Sequence, residues 1–285
     1  MKRLIVTADD FGAAREVNEA VETAHRRGIL TAASLMVSGP AAAEAMARAR
    51  RLPSLRVGLH LVLLEGRPLS PPAAVPHLVN GAGRFPANPA PLGTLLACSR
   101  EARRELSAEI TAQFAAFRDA GLTLDHCNAH KHFHLHPVVG SLIAAIGPRF
   151  GLRAVRLPLE PVAVLRRVER HGVSASAALA QPFAMALRRR LAAAGLFTTD
   201  RAFGLRWSGQ LHRERLSGLI RHLPPGTSET YLHPATAPYP GSARGYCYRE
   251  ELEALTAPEV IAACRDSGLR LGGFADLVAA EAAAA

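Results

Sequence analysis

The sequence contains few cysteines, and none of them forms a C-x-x-C pair. Cys98, Cys127, Cys247 and Cys264 are the four thiols in 285 residues, a pattern that excludes a disulfide framework and a zinc ribbon. We therefore expect reduced thiols and a cytoplasmic protein. The apolar run at the N-terminus meets Asp9 too soon for a secretory signal. No uncharged stretch reaches the roughly eighteen apolar residues that a membrane-spanning helix needs.

Aromatic residues and lysine are also scarce. Aromatics make up 5% of the chain, Lys2 and Lys131 are the only lysines, and the net charge of +10 comes almost entirely from arginine. A basic protein attracts anionic partners, including lipid head groups. Because no base-stacking motif accompanies the charge, we expect no nucleic-acid partner. Peripheral contact with the inner face of a membrane is a prediction, and a homodimer is left open.

Apolar runs alternate with helical patterns along the whole chain, which predicts βαβ units and a parallel sheet in an α/β fold. No repeat or linker divides the chain, so we expect one domain over residues 1–285, with an irregular insertion or lid at 64–98. A variable helical region is expected at 160–200. The strands are predicted at residues 4–6, 30–37, 56–63, from 122 onward, at 152–157, 227–232 and 270–271. The helices are predicted at residues 13–28, 41–51, 100–120, 138–150, 183–191, 258–267 and 273–285.

Two adjacent carboxylates, Asp9 and Asp10, follow the first predicted strand. Active sites of α/β folds lie at the carboxyl ends of their strands. If the extended geometry continues, the two side chains point in opposite directions, so one could hold a metal while the other handles a proton. The alternative is that Asp10 caps the helix that begins near Ala13.

Five of the twelve histidines fall between His126 and His136, after a predicted strand and before a predicted helix. His130, His132, His134 and His136 share one parity, so any extended portion would present them on one face. The clustered imidazoles predict metal binding. The alternative is a solvated surface that traps metal incidentally.

Three further candidates lie at other predicted strands. His60 lies inside the third strand, where the alternative to a ligand is a satisfied core histidine. His233 precedes Pro234 at the end of a late strand, at the same edge of the sheet. Arg156 ends the strand at 152–157, where it either clamps a substrate oxygen or pairs with a carboxylate.

One carboxylate and two imidazoles with open positions are typical of a hydrolytic metal site. The metal would lower the pKa of bound water towards about 7 and polarise a carbonyl group. A second carboxylate can then act as base, and a late histidine can protonate the leaving group. A non-haem iron oxygenase and a non-catalytic metal-binding protein are the alternatives. The mixed nitrogen and oxygen ligands favour zinc, with magnesium as the second choice.

Four motifs, in this order and across nearly the whole chain, resemble the YdjC-like (ChbG-type) carbohydrate deacetylases. They are Ala8-Asp9-Asp10-Phe11-Gly12, Gly58-Leu59-His60-Leu61, the cluster His130, His132 and His134, and Leu232-His233-Pro234. The resemblance implies an irregular or incomplete, TIM-barrel-like (β/α) barrel with mostly parallel strands. It also implies removal of N-acetyl groups from amino sugars, with one divalent metal ion.

The resemblance further implies a role for seven residues. These are Asp9 as general base, His233 as general acid, Asp10, His60 and His130 as metal ligands, and His132 and Arg156 as the lining of the sugar site. Residues 32–37 and 128–134 look most like the hopanoid-biosynthesis branch of the family (HpnK). That branch implies an N-acetylglucosaminyl hopanoid as substrate, and a chitooligosaccharide or another N-acetyl amino sugar is the alternative.

Overall fold

The structure, a computed structural model, describes residues 1–169 and 175–282. Within these ranges the chain folds around one seven-stranded sheet in which every ladder is parallel. The strands are β1 (Lys2–Phe11), β2 (Ala32–Leu35), β3 (Arg56–Leu61), β4 (Cys127–Ala129), β5 (Arg201–Phe203), β6 (Gly226–Leu232) and β7 (Arg270–Leu271). The predicted α/β fold is confirmed.

The central strand of the sheet is β1. The strand order is β4-β3-β2-β1-β6-β5, and β7 pairs with the beginning of β1 at Arg3 and Leu4. Since β1 is covered on both faces, its apolar run is buried throughout, as expected for an inner parallel strand. All carboxyl ends of the strands therefore meet at one edge of the sheet.

The sheet curls into an incomplete barrel. The outer strands β4 and β5 do not pair directly, and isolated bridges that join Cys127 to Val155 and Ala154 to Phe197 lie between them. The predicted strand at 152–157 was therefore wrong in extent. Pro158 follows this stretch and has no N–H to donate, so the ladder cannot continue.

Helices connect the strands on the outside of the sheet. They are α1 (Arg15–Arg27), α2 (Ala42–Arg50), α3 (Pro89–Cys98), α4 (Arg100–Asp119), α5 (Pro137–Ile146), α6 (Val162–Val168), α7 (Ala175–Ala193), α8 (Arg213–His222), α9 (Tyr248–Thr256), α10 (Pro258–Asp266) and α11 (Phe274–Ala282). The α4 helix buries the predicted apolar stripe of Leu106, Ile110, Phe114 and Phe117. The helix predicted at 138–150 ends at Ile146 and continues as a 3₁₀ turn, because Pro148 cannot donate to the α-helical ladder.

The insertion at 64–98 is only partly irregular, since its last ten residues form α3. Its first part is tied to α4 by Glu109, which accepts the backbone N–H groups of Leu69 and Ser70, both at 2.9 Å. The region 160–200 contains α6 and α7. Residues 170–174 of that region and residues 283–285 of the predicted last helix lie outside the described residues. No helix in the described part of the chain combines the length and the hydropathy needed to cross a bilayer.

Candidate metal centre and active site

The end of β1 turns the two neighbouring carboxylates towards different partners. The pairing of β1 with β2 shifts register after Ala8, and Asp10 has a left-handed backbone with φ of 61°. Aspartate is one of the few residues that adopts this conformation readily. The proposed capping role of Asp10 is not observed, because α1 begins after Ala14 with no side-chain cap.

Asp10, His60 and His130 come together at the carboxyl end of the sheet. One ligand atom from each lies within 4.8 Å of the others. Asp10 Oδ1 is 3.3 Å from His60 Nε2 and 3.1 Å from His130 Nδ1. His60 Nε2 is buried and has no hydrogen-bond partner. An unpartnered imidazole nitrogen beside a carboxylate and a second imidazole fits a divalent transition cation.

Both imidazoles are held by their remaining nitrogen atoms. His60 Nδ1 lies 2.6 Å from the side-chain amide of Asn128, and His130 Nε2 lies 3.2 Å from Glu65 Oε2. Such partners fix the orientation of histidine ligands in metal sites. Sequence reasoning missed Glu65, although it follows an apolar run that begins in β3, just as Asp9 and Asp10 follow the apolar run of β1.

The charges at this cluster favour the binding of a cation. Burial alone would raise the pKa of Asp10, but His130 holds it well below its usual value through charge and a hydrogen bond. Burial alone would lower the pKa of His130, but Asp10 and Glu65 raise it to about 10. His130 Nδ1 faces Asp10, so a cation bound between them would replace a proton on this nitrogen.

Asp9 is buried and forms a two-pronged ion pair with Arg156, whose Nη1 and Nη2 lie 2.5 and 2.9 Å from its two oxygens. Burial opposes ionisation of Asp9, but the charge of Arg156 outweighs it and holds the pKa of Asp9 well below its usual range. Arg156 also donates to Glu229 through Nε at 2.9 Å and Nη2 at 2.7 Å.

The structure corrects the prediction that Arg156 lines the sugar site. Its side chain has no exposed surface and lies beneath Asp9, so it cannot reach a substrate oxygen. Of the two alternatives, pairing with a carboxylate is the one observed. The sequence could not identify which carboxylates pair with Arg156, because Asp9 and Glu229 lie 147 and 73 residues away from it.

The remaining predicted site residues share one cavity of about 230 Å³. They are Asp9, Asp10, His60, His130, His132 and His233. A wider groove of about 800 Å³ adjoins this cavity and shares several residues with it, among them Asp10, Glu65 and His130. This groove runs between the insertion and residues 239–243, and its lining is largely apolar.

The histidine cluster does not present one face. Lys131 and His132 both have φ of 53°, and this tight turn breaks the extended geometry on which a shared parity depends. His132 Nε2 lies 2.8 Å from the Tyr231 hydroxyl, and burial lowers the pKa of His132. His134 is buried and stabilises the backbone around it. Its Nδ1 accepts the Ala129 N–H, and its Nε2 lies 3.2 Å from the Arg156 carbonyl oxygen.

His233 stands at the end of β6. Burial lowers the pKa of its imidazole, and its buried Nδ1 has no hydrogen-bond partner. Its ring centre lies 5.1 Å from that of Tyr246, whose hydroxyl is 2.6 Å from Ser208 Oγ. Glu251 accepts the backbone N–H of His233, which ties the end of β6 to α9.

The tyrosines of the chain gather around this cavity, which sequence reasoning also missed. Tyr239, Tyr246 and Tyr248 line it, and Tyr231 contacts His132. These four are all the tyrosines of the sequence. A tyrosine offers an apolar ring and a polar hydroxyl, a combination that suits a ligand with both kinds of surface.

The fold and the site together define an incomplete α/β barrel with a carboxylate–imidazole cluster at the carboxyl edge of its sheet. The family described as YdjC-like protein matches residues 3–266, and the chain belongs to this family. The resemblance noted in the sequence is thus confirmed at the level of the family. Its hopanoid-biosynthesis branch stays a prediction.

Two relatives are similar to this chain over nearly their whole lengths. The carbohydrate deacetylase of Geobacillus stearothermophilus is 34% identical over 271 residues, which cover 94% of each chain. The chitooligosaccharide deacetylase of Serratia marcescens is 33% identical over 287 residues, which cover 97% of this chain and 99% of the relative. A crystal structure of an Enterococcus faecalis V583 protein has the same fold, with a TM-score of 0.74, 24% identity and coverage of 97% and 98%.

Proposed function

We propose that this protein is a divalent-cation-dependent N-deacetylase that hydrolyses the acetamide of an N-acetylglucosaminyl group. One observation carries the proposal: Asp10, His60 and His130 approach within 4.8 Å in a cavity that also contains Asp9 and His233. The names of the two relatives, both deacetylases, support it. Zinc is the proposed cation, because two imidazoles and one carboxylate suit it better than magnesium.

The cation, held by Asp10, His60 and His130, would supply a Lewis acid that polarises the acetamide carbonyl and acidifies water. Asp9 accepts a proton from the attacking water. The Arg156 pair keeps Asp9 ionised and fixes its orientation. Arg156 is in turn held by Glu229, to which it also donates.

His233 donates a proton to the amine nitrogen as the carbon–nitrogen bond breaks, and acetate and the free amine leave. Burial favours the neutral imidazole, so the protonated form of His233 readily gives up its proton. His132, in the turn after β4, contacts the sugar from the cavity wall. Its ring is held there by the Tyr231 hydroxyl.

For the rest of the substrate we propose a hopanoid lipid presented at a membrane surface. On α7, Phe183 and Met185 expose 50% and 39% of their surfaces, close to the exposed arginines 188–190. This helix packs against the 130–135 turn that carries His130. Exposed apolar residues beside arginine suit peripheral contact with anionic lipid. A soluble chitooligosaccharide is the second candidate, supported by the name of the Serratia relative.

The test is acetate release from an N-acetylglucosaminyl hopanoid in anionic vesicles and from chitobiose. Each is measured in protein as purified, after chelation, and after addition of zinc or magnesium. We expect release to stop with chelator, to return with zinc, and to be faster with the hopanoid. Faster release from chitobiose would show that the soluble sugar, and not the lipid, is the preferred substrate. Release that survives complete metal removal would contradict the cation-dependent mechanism.

The two other sequence-based interpretations give different results in the same assay. A non-haem iron oxygenase would consume dioxygen and need a co-substrate, so acetate release under nitrogen argues against it. A non-catalytic metal-binding protein would release no acetate from either substrate.

A further inference from the structure

The insertion at 64–98 reaches the cation cluster through Glu65. Its Oε2 lies 3.2 Å from His130 Nε2, and its Oε1 contacts Lys131 Nζ. The ring of His130 therefore bridges two carboxylates, since its Nδ1 faces Asp10 at 3.1 Å. The proposed chemistry assigns no role to Glu65, although its side chain lines both the cavity and the groove.

The two proposed imidazole ligands are held in different ways. His60 lies in β3, and its partner Asn128 lies in the neighbouring β4, so both belong to the sheet. His130 lies on the turn after β4, where the next two residues have left-handed backbones. Its outer partner Glu65 comes from the insertion. The orientation of His130 thus depends on a segment outside the barrel, whereas that of His60 does not.

Glu65 is itself fixed by the insertion. Its backbone N–H donates to the Pro86 carbonyl at 3.1 Å, and its carbonyl accepts Arg84 Nη2 at 2.7 Å. Gly66 accepts the Phe85 N–H at 3.0 Å, which closes the two sides of the loop. Glu65 also has φ of 61°, a conformation that a non-glycine residue keeps only where its surroundings impose it.

We propose that Glu65 is a positioning residue for the cation site. It accepts the Nε2–H of His130, so that the Nδ1 lone pair of that ring faces the position between Asp10 and His60. Histidine ligands of metals commonly donate their second N–H to a carboxylate, and its loss weakens metal binding. Cation affinity therefore depends on the position of the insertion against the barrel. A bound cation in turn stabilises the insertion in that position. This inference rests on the cation site of the proposed function.

The test measures zinc affinity without substrate, by competition with a chromogenic chelator. Wild type is compared with Glu65→Ala, Glu65→Gln and the control Glu105→Gln. Glu105 accepts the backbone N–H of His77 at 2.9 Å and contacts its ring, so it makes a carboxylate–histidine contact between α4 and the insertion. We expect Glu65→Ala to lose affinity by about 10- to 100-fold. Glu65→Gln should lose less, because its amide oxygen still accepts a hydrogen bond, and Glu105→Gln should change little.

A second measurement follows the insertion itself. Trypsin cleavage after the exposed Arg84, whose side chain donates to the Glu65 carbonyl, should slow when zinc is added to wild type, and zinc should no longer slow it in Glu65→Ala. Circular dichroism melting verifies that each variant is folded. If Glu65→Ala does not fold, Glu65→Gln replaces it in both measurements.

The outcomes separate this inference from the proposed function. Wild type that binds no zinc would overturn both. If wild type binds zinc and the Glu65 variants bind it with equal affinity, only the role of Glu65 would be overturned. An equal loss in Glu105→Gln would also overturn it, because the effect would then come from general loosening of the insertion.

Discussion

Asp9 combines deep burial with a strong ion pair, and both are needed for the proposed role. The carboxylate stays ionised because the charge of Arg156 outweighs the cost of burial. Arg156 is shared with Glu229, which also accepts the Thr7 hydroxyl at 2.8 Å. Arg156 thus bridges two buried carboxylates, and its two-pronged contact fixes the orientation of Asp9.

Substitution of Asp9 should remove turnover and leave the cation in place. In Asp9→Asn the amide cannot accept the proton of water, and we expect acetate release to fall by about 10²- to 10⁴-fold. Asp10 and the two histidines are untouched, so zinc content by elemental analysis should equal that of wild type. The exposed Asp119→Asn is the control. Wild-type rates in Asp9→Asn would show that another group accepts the proton.

Glu251 should make stability depend on pH. Burial raises the pKa of this carboxyl from 4.5 to about 7. The unfolded chain releases the proton at lower pH than the folded chain, so the contribution of Glu251 is complete below pH 4.5 and is lost as pH rises to 7. The loss is of order 3 kcal/mol.

Glu251→Gln should remove this dependence. The variant loses one acceptor oxygen at all pH values, because the carboxylate serves the N–H groups of both Leu211 and His233. Its unfolding free energy relative to wild type should therefore rise between pH 4.5 and 7.5, as measured by urea denaturation at both values. A difference between the two proteins that does not change with pH would refute the pKa assignment.

Much of the candidate site could be predicted from single residues. Asp9, Asp10, His60 and His233 lie at or near carboxyl ends of parallel strands, and those ends meet at one edge whatever the loops do. Glu65 and Arg156 could not be assigned in this way. The position of Glu65 depends on the path of an irregular loop, and the role of Arg156 depends on partners far away in the sequence.

At the scale of secondary structure, a buried polar network joins β2 to the residues that directly precede β4. His126 Nδ1 lies 3.0 Å from Asp125, and its Nε2 lies 3.0 Å from Ser34 Oγ. Asp125 also accepts backbone N–H groups at the start of α11. All three side chains are buried, so this Ser–His–Asp array has no access to a substrate and serves the fold.

Gly58 of β3 provides the space for this network. A Cβ there would lie 2.5 Å from the His126 ring, which Asp125 and Ser34 hold on both sides. We expect Gly58→Ala to destabilise the fold by about 1–3 kcal/mol. Urea denaturation measures this, with Gly81→Ala as the control, because nothing lies within 4 Å of a Cβ at Gly81. Equal stability of the two variants would show that the His126 ring can move.

The secondary structure was predictable where periodicity and backbone chemistry agreed. The stripe of α4 lies on one face, and the observed helix matches the prediction within a residue. The prediction that His130, His132, His134 and His136 share one face was wrong, because it assumes an extended chain. The two left-handed residues that break the extended chain, Lys131 and His132, are not glycines, so the sequence does not mark them. The strand at 152–157 has the right composition, but its neighbours in space come from β4 and residue 197, which no local pattern reveals.

At the scale of the whole molecule, the proposed cation would connect β1, β3 and the turn after β4. Asp10, His60 and His130 are separated by 50 and 70 residues in the sequence, so an unfolded chain cannot present them together. A ligand that binds only the folded state stabilises it by an amount set by its concentration relative to its Kd, about 2.7 kcal/mol at a hundredfold excess over Kd. The cation would therefore contribute to the stability of the whole fold.

Zinc should accordingly raise the melting temperature of wild type, and His60→Ala should abolish the increase. His77 is exposed, pairs with Glu105 of α4 and does not line the cavity, so His77→Ala should respond to zinc as wild type does. The increase should grow from pH 6 to pH 8, because zinc must displace a proton from His130, whose pKa is raised to about 10. Differential scanning calorimetry over a zinc titration at both pH values measures these changes, with chelator to reverse them. A zinc response that His60→Ala retains would mean that the cation binds elsewhere on the molecule.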